Sequence, residues 1–390
     1  MNNTVVYEEW KEWATPKQCE YIDAVMKAGS IRGAARELGV HQKSVQTAIK
    51  LARKTAITHG FSPEHDMTKP TPEGYINKGV STLYNAEGEI TAQWVKTERE
   101  KEKQTQLILD MIRDAAEELK GKSPRIKCPK VDNSDYIANY MIPDIHTGMF
   151  AWAEETGDDY DLKIAEEFLI GAVTRLVDAT PPTETCIIRN LGDFFHTDNM
   201  NNQTSRSGNL LDVDTRWSKV LMVGFKMMCT VIELALGQHK AVNVINSIGN
   251  HDDQTSVMLS IALDAYFNNN RRVAVDKSPA KFHYNQFGKC AFGQTHGDSV
   301  KPQALGPIMA TDRPKLWGDT EHRYWFTGHI HTQNVWEFPG CIVESFNTLA
   351  AKDAWTASKF RSSRSLSSLV FHKEYGLSER YIVDVSRLRK

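Results

Sequence analysis

Residues 136–148 read YIANYMIPDIHTG, an apolar and aromatic run that stops at a proline and releases Asp144-Ile145-His146. Runs of this length read as buried strands, so the acid and the imidazole stand where a strand ends and a loop begins. The pattern recurs four times. CIIRNLGD (186–193) ends in Gly192-Asp193, and VNVINSIGNHD (242–252) in Gly249-Asn250-His251-Asp252. CAFGQTHG (290–297) ends in Thr295-His296-Gly297, and YWFTGHIH (324–331) in Gly328-His329-Ile330-His331. Side chains at the ends of strands can converge in one crevice.

These residue types in this order address one chemistry. Cleaving a phosphoester requires a nucleophile at neutral pH, neutralisation of charge on the non-bridging oxygens, and help for the leaving oxygen. Two metal ions about 3.5 to 4 Å apart meet the first two demands. In Asp144-x-His146, residues i and i+2 of an extended segment project to one side, so both can address one ion. Asp193 follows a glycine that permits a tight turn and is positioned to bridge. Asn250 adds a neutral oxygen, and His296, His329 and His331 add imidazoles. Mixed oxygen and nitrogen ligation without thiolate suits manganese, with iron, zinc or magnesium as alternatives, better than calcium.

The ordered set resembles that of the calcineurin-like metallophosphoesterases, whose pattern runs Asp-x-His, Gly-Asp, Gly-Asn-His-Asp/Glu, a lone His and Gly-His-x-His. Every element is matched over residues 144–331. The resemblance implies an α/β fold, a two-sheet α/β/β/α sandwich. It implies that Asp144, His146, Asp193 and His331 hold a first metal and that Asp193, Asn250, His296 and His329 hold a second. It further implies that His251 contacts the phosphate and protonates the leaving group, with Asp252 a candidate to orient it. An unperturbed histidine pKa of about 6.5 suits that role.

One departure stands out. Many members continue the second motif as Gly-Asp-x-x-Asp, whereas here it is Gly192-Asp193-Phe194-Phe195-His196. His196 either lines the site or is a structural histidine; His283, His322 and His372 are read as structural. The segment 196–217 reads as a long polar loop, a common substrate-facing feature. In it Arg206 and Arg216 either grip a phosphate or pair with Asp212 and Asp214. Lys301, just after His296, is a further substrate contact to test.

Ahead of these motifs, residues 14–60 carry a helix-turn-helix pattern. Pro16 to Lys27 predicts a first helix, Ser30 caps a second from Ile31 to Leu38, and Gly39 turns the chain into a third from about Gln42 to Ala56. Ala34, Ala35, Leu38, Val40, Val45 and Ile49 are its expected core. No acidic residue occurs from Val40 to Gly60. A basic third helix suits DNA, with Lys43, Lys50, Arg53 and Lys54 on phosphates and Gln42, Ser44, Gln46 or Thr47 reaching base edges. The alternative is a packing or dimerisation module. Residues 61–130 read as a linker to Gly79, a hairpin of Val80–Tyr84 and Glu89–Val95 anchored by Trp94, and a charged helix from Lys96 to Lys120. Residues 131–390 complete the chain as the catalytic domain.

At 390 residues with 41% hydrophobic content, the chain can bury a substantial core. Its net charge of -2 says little about partners. Six scattered cysteines suggest neither a disulfide framework nor a thiolate zinc site. No stretch reads as a bilayer span or a signal peptide, so a cytoplasmic location is expected. The combination of modules resembles bacteriophage-encoded proteins, in which case the compartment is the host cytoplasm. The expected function is a two-metal phosphodiesterase, a DNA nuclease targeted by the helix-turn-helix. Two alternatives stay open: a phosphatase for a small substrate or phosphoprotein, and a non-enzymatic DNA-binding regulator with a metal-binding scaffold. A homo-oligomer is compatible with either.

Overall fold

The computed structural model describes residues 6–63, 67, 70–71, 75–85, 90–99, 117, 120–204, 208–352 and 362–389. The chain divides into two compact units, Met1–Met111 and Ile112–Lys390.

In the first unit a 3-10 turn, Glu8–Trp13, precedes helices α1 (Pro16–Ala28), α2 (Ile31–Glu37) and α3 (Gln42–Thr58). Thr15 and Gln18 close a reciprocal capping box at the start of α1, with Pro16 at the first helical position. Ser30 caps α2 by accepting from the Gly33 amide. Gly29 and Gly39 supply the left-handed residues that end α1 and turn α2 into α3. Ala34, Ala35, Val45 and Ile49 are buried as expected, while Leu38 and Val40 are only half-buried. Much of the core comes from residues that the helix-turn-helix pattern does not single out: Trp10, Tyr21, Ile22 and Val25.

Strands β1 (Tyr75–Tyr84) and β2 (Ile90–Arg99) form an antiparallel ribbon longer than the sequence suggested. Tyr75–Gly79, expected as linker, is strand. Lys96–Arg99, expected to open a helix, is strand too, because it pairs across to Gly79, Asn77, Ile76 and Tyr75. Cross-strand pairing overrides the local helix preference of a charged segment. Residues 100–116, 118 and 119 of that expected helix lie outside the described residues. Trp94, the expected packing anchor, is 57% exposed.

The second unit is built on two sheets. One has the order β13-β12-β3-β4-β5-β6, from β3 (Tyr136–Ile142), β4 (Thr185–Asn190), β5 (Ala241–Asn246), β6 (Val273–Asp276), β12 (Ser365–His372) and β13 (Gly376–Asp384). β3 to β6 run parallel, and β12 joins β3 antiparallel. The other has the order β10-β11-β9-β8-β7, from β7 (His283–Phe287), β8 (Cys290–Gln294), β9 (His322–Thr327), β10 (Asn334–Phe338) and β11 (Cys341–Ser345). Facing side chains, among them Met141, Ile187, Phe292, Phe326 and Phe371, fill the space between the sheets.

Helices cover both outer faces. After the short α4 (Ala153–Thr156), α5 (Leu162–Ala179), α6 (Trp217–Gln238) and α7 (Thr255–Tyr266) bury Leu169, Val173, Ile232 and Leu263 against the first sheet. On the second sheet, α8 (Pro302–Asp312) sets Leu305 and Met309 on Trp325 and Val343, and α9 (Pro314–Asp319) follows. The α/β/β/α sandwich implied by the resemblance is therefore present. One expectation needs correction: α6 is long and apolar enough, by length and composition, to cross a membrane. Half of its most apolar window is buried within the protein, and its core face packs with α5 and the first sheet. Core helices pass the same compositional test.

Candidate metal centre

All five motifs lie where strands β3, β4, β5, β8 and β9 end. The backbone there is unusual. Among the described residues six non-glycine residues have left-handed φ angles, and five are Asp144, His146, Asp193, His329 and His331, at φ 48°, 48°, 50°, 69° and 53°. Such conformations cost on the order of 1–3 kcal/mol each and persist only where the surroundings over-determine them. Here that strain coincides with the expected ligands.

Glycines let the loops close on one another. A Cβ at Gly249 would stand 2.0 Å from Asp193 Oδ1, and one at Gly328 would stand 2.5 Å from Asp144 Oδ2. Three further contacts fix the acids. The His329 amide donates to both Asp144 oxygens at 2.9 and 3.0 Å, the Thr348 hydroxyl donates to the Asp144 carbonyl at 2.5 Å, and the His251 amide donates to Asp193 Oδ1 at 2.8 Å.

Two ligand clusters result, each with its donor atoms within 4.8 Å of one another: Asp144, His146 and His331, and Asp193, His296 and His329. In the first, His146 Nε2 and His331 Nε2 face each other at 3.1 Å, with Asp144 Oδ1 3.5 Å from the latter. In the second, His296 Nε2 lies 3.1 Å from both Asp193 Oδ2 and Asn250 Oδ1. The His296 Nδ1–H donates to the Leu191 carbonyl at 2.9 Å, which leaves Nε2 as the inward ligand atom. Burial disfavours the His296 imidazolium, yet the Asp193 and Asp144 carboxylates raise its pKa to about 10. Burial pushes the His146 pKa well down, and the neighbouring His251 and His331 add to the effect. Converging carboxylates, an amide oxygen and imidazole nitrogens fit divalent cations.

A third cluster joins His146 to His196 and His251. His196 is buried, its ring stacked on His251 at 5.3 Å and its Nδ1 3.2 Å from His146 Nδ1, so it lines the site. The His251 Nδ1–H donates to the His196 carbonyl at 2.9 Å. That contact is the one expected of Asp252, which instead points elsewhere. Its carboxylate accepts from the amides of Asp193, Phe195 and Gly249 and so ties the second loop to the third. Burial and the neighbouring Asp193 raise its pKa to about 7.

The outer residues are placed less tightly. Arg216 is exposed at the start of α6, and among the described residues it forms no ion pair with Asp212 or Asp214. Arg206 lies outside the described residues. Lys301 is exposed ahead of α8. His283, His322 and His372 stay out of the clusters, bonded to Asp276, the Glu374 carbonyl and the Glu374 amide. In the first unit Gln42, Lys43, Ser44, Gln46, Thr47, Lys50, Arg53 and Lys54 are all exposed on α3.

The sequence reading missed Arg189. This fully buried guanidinium donates to Asn139, Gln294 and Asn285 and lies over the rings of Phe292 and Phe326, bridging the sheets behind Asp193 and His296. Burial lowers its pKa to about 9. A lone arginine inside the apolar run CIIRNL was the available signal.

No protein-family model and no curated protein matches the chain. Solved structures do. An archaeal phosphodiesterase aligns at 15% identity over 64% of this chain and 99% of its own, with a TM-score of 0.33. A dimetal phosphatase from Danio rerio aligns at 10% identity over 64% and 98%, TM-score 0.34. Vps29 from Entamoeba histolytica, complexed with zinc, aligns at 12% identity over 63% and 98%, TM-score 0.28.

Proposed function

We propose that this protein is a two-metal phosphodiesterase acting on DNA. The observation that carries the reading is the convergence of Asp144, His146, Asp193, Asn250, His296, His329 and His331, five of them in left-handed conformations, beside His251. Asp144, His146 and His331, with Asp193 shared, would hold one ion; Asp193, Asn250, His296 and His329 would hold the other. When bound, the ions supply a nucleophile at neutral pH and neutralise charge on the phosphoryl oxygens. The chain's own part is to aim and to move a proton. His251 donates through Nδ1 to the His196 carbonyl, so Nε2 is the atom left facing the site, and in the imidazolium form it would give its proton to the departing oxygen. Asp252 keeps the loops of Asp193 and His251 in register from behind.

The choice of DNA rests on the first unit. Its third helix exposes four basic and four polar residues and no acid, the footprint of a major-groove helix. Tethering such a module to a hydrolase raises the local concentration of a polyanionic substrate. Manganese is the metal proposed first. The test is purified protein with manganese, magnesium or zinc against labelled single-stranded and duplex DNA, with an activated phosphodiester and its matching monoester as controls. DNA cleavage and a diester preference are expected. A strong monoester preference with no cleavage of DNA in any metal would overturn the reading in favour of a small-substrate phosphatase.

A further inference from the structure

The loop that leaves the first metal motif carries two aromatic rings into solvent. Met149 and Ala151 point inward and are 2% and 4% exposed, whereas Phe150 and Trp152 are 46% and 57% exposed. The alternation follows from extended backbone pinned on both sides. Met149 bridges Val213 and Ala151 bridges Tyr160. The Phe150 amide donates to the Asp212 carbonyl at 3.1 Å, and Ala151 and Tyr160 exchange both backbone bonds. Neighbours i and i+2 then leave one face about 6.5 Å apart. At that backbone spacing two exposed aromatic side chains on one face lie close enough to meet the same flat base.

The rings lie four and six residues beyond His146, and a cleft of about 610 Å³ begins at Val213, the partner of Met149. Met200, Asn202 and Arg216 line it, and Met200 is itself exposed. The nearby charges determine which part of a strand meets this face. Glu154, Glu155 and Asp212 are exposed beside the rings and repel phosphates. A strand on this face therefore turns its phosphates away and its bases towards the aromatics.

We propose that Phe150 and Trp152 form a stacking platform for an unpaired nucleobase, so that the strand reaching the metal centre is single-stranded or a frayed end. Stacking on aromatic side chains is tolerant of sequence, because every base has a π-face. The proposal rests on the nuclease reading and is tested separately from it. Full-length protein in EDTA, so that nothing is cleaved, is titrated with a short labelled single strand and with an abasic strand of equal length and charge. The wild type is expected to prefer the base-bearing strand by about 5-fold to 150-fold per stacked base. Phe150→Leu/Trp152→Leu keeps apolar bulk but removes the π-faces, and is expected to bring the preference towards one. Phe150→Tyr/Trp152→Phe should retain it. As a second readout, the strand should quench tryptophan emission in the wild type and quench it less in Trp152→Phe. Equal binding of the two strands by the wild type, a preference that survives in the leucine variant, or unchanged quenching in Trp152→Phe overturns the platform. Cleavage of DNA without any base preference refutes the platform alone, whereas base stacking without cleavage in any metal refutes the nuclease.

Discussion

At the residue scale, single hydrogen bonds decide which nitrogen of each histidine can work. His296 gives Nδ1–H to a carbonyl and turns Nε2 inward beside Asp193; His251 does the same one loop away, but without a place among the two main ligand clusters. The two groups should separate cleanly on mutation. Asp193→Ala is expected to lose metal and activity together. His251→Ala should keep its metal and lose turnover by about 100-fold to 10,000-fold. Elemental analysis beside a kinetic assay checks both; a fully active Asp193→Ala protein would sink the bridging assignment. A buried histidine far from the motifs gives a pH prediction. The Thr183 amide donates to His239 Nδ1 at 3.1 Å, so Nε2 carries the proton and donates to the Tyr140 oxygen at 2.7 Å. Burial lowers the His239 pKa to about 4, whereas the unfolded chain protonates near 6.5. Between those values the unfolded state binds more protons, so stability is fully present above about pH 6.5 and is lost as pH falls towards 4. The full shift corresponds to about 3 kcal/mol. His239→Gln should flatten the fall in melting temperature from pH 7 to pH 5, and an unchanged slope would remove His239 as its source.

At the element scale, the basic face of α3 makes its own prediction. Lys50 and Arg53 are exposed there, so Lys50→Ala/Arg53→Ala should weaken duplex binding and reduce the log-log salt slope by about one or two. Binding of the full chain across a salt series checks this, and an identical slope would make α3 a structural surface. The same helix shows how far elements can be read in advance. Ser30, Gly39 and the apolar spacing announce α2 and α3 because caps and periodicity are local signals. Strands β3, β4, β5, β8 and β9 were legible for the same reason: each is an apolar run cut off by a motif. Lys96–Arg99 was not, since only pairing with Tyr75–Gly79 makes it a strand. The role of Asp252 was equally hidden. Adjacency in sequence suggested His251 as its partner, while the fold turns its carboxylate to amides 57 and 59 residues away. Ligand identity is written in residue types, but second-layer contacts depend on which loops the sandwich brings together.

At the scale of the whole molecule, the two units have different sources of stability. The first has a small trihelical core around Trp10, Ile22 and Val45, and none of its described residues belongs to a ligand cluster. The second holds buried Asp144, Asp193 and His146 on strained backbone beside buried His296, so ions that bind there stabilise that unit selectively. A ligand that binds only the folded state contributes about 2.7 kcal/mol at a hundred times its Kd. For a domain this large, each kcal/mol moves the midpoint by roughly 2–4 °C. Calorimetry of the full chain should therefore show one transition that rises by about 5–10 °C when manganese replaces EDTA and another that does not move. Asp193→Ala should abolish the rise, because it removes the carboxylate shared between the two positions. His251→Ala should keep it, because a proton donor outside the ligand set leaves ion binding intact. If both transitions shift together, stabilisation is not confined to the second unit. If neither shifts in any of the three metals, the clustered carboxylates and imidazoles do not hold an ion, and the hydrolase reading fails with them.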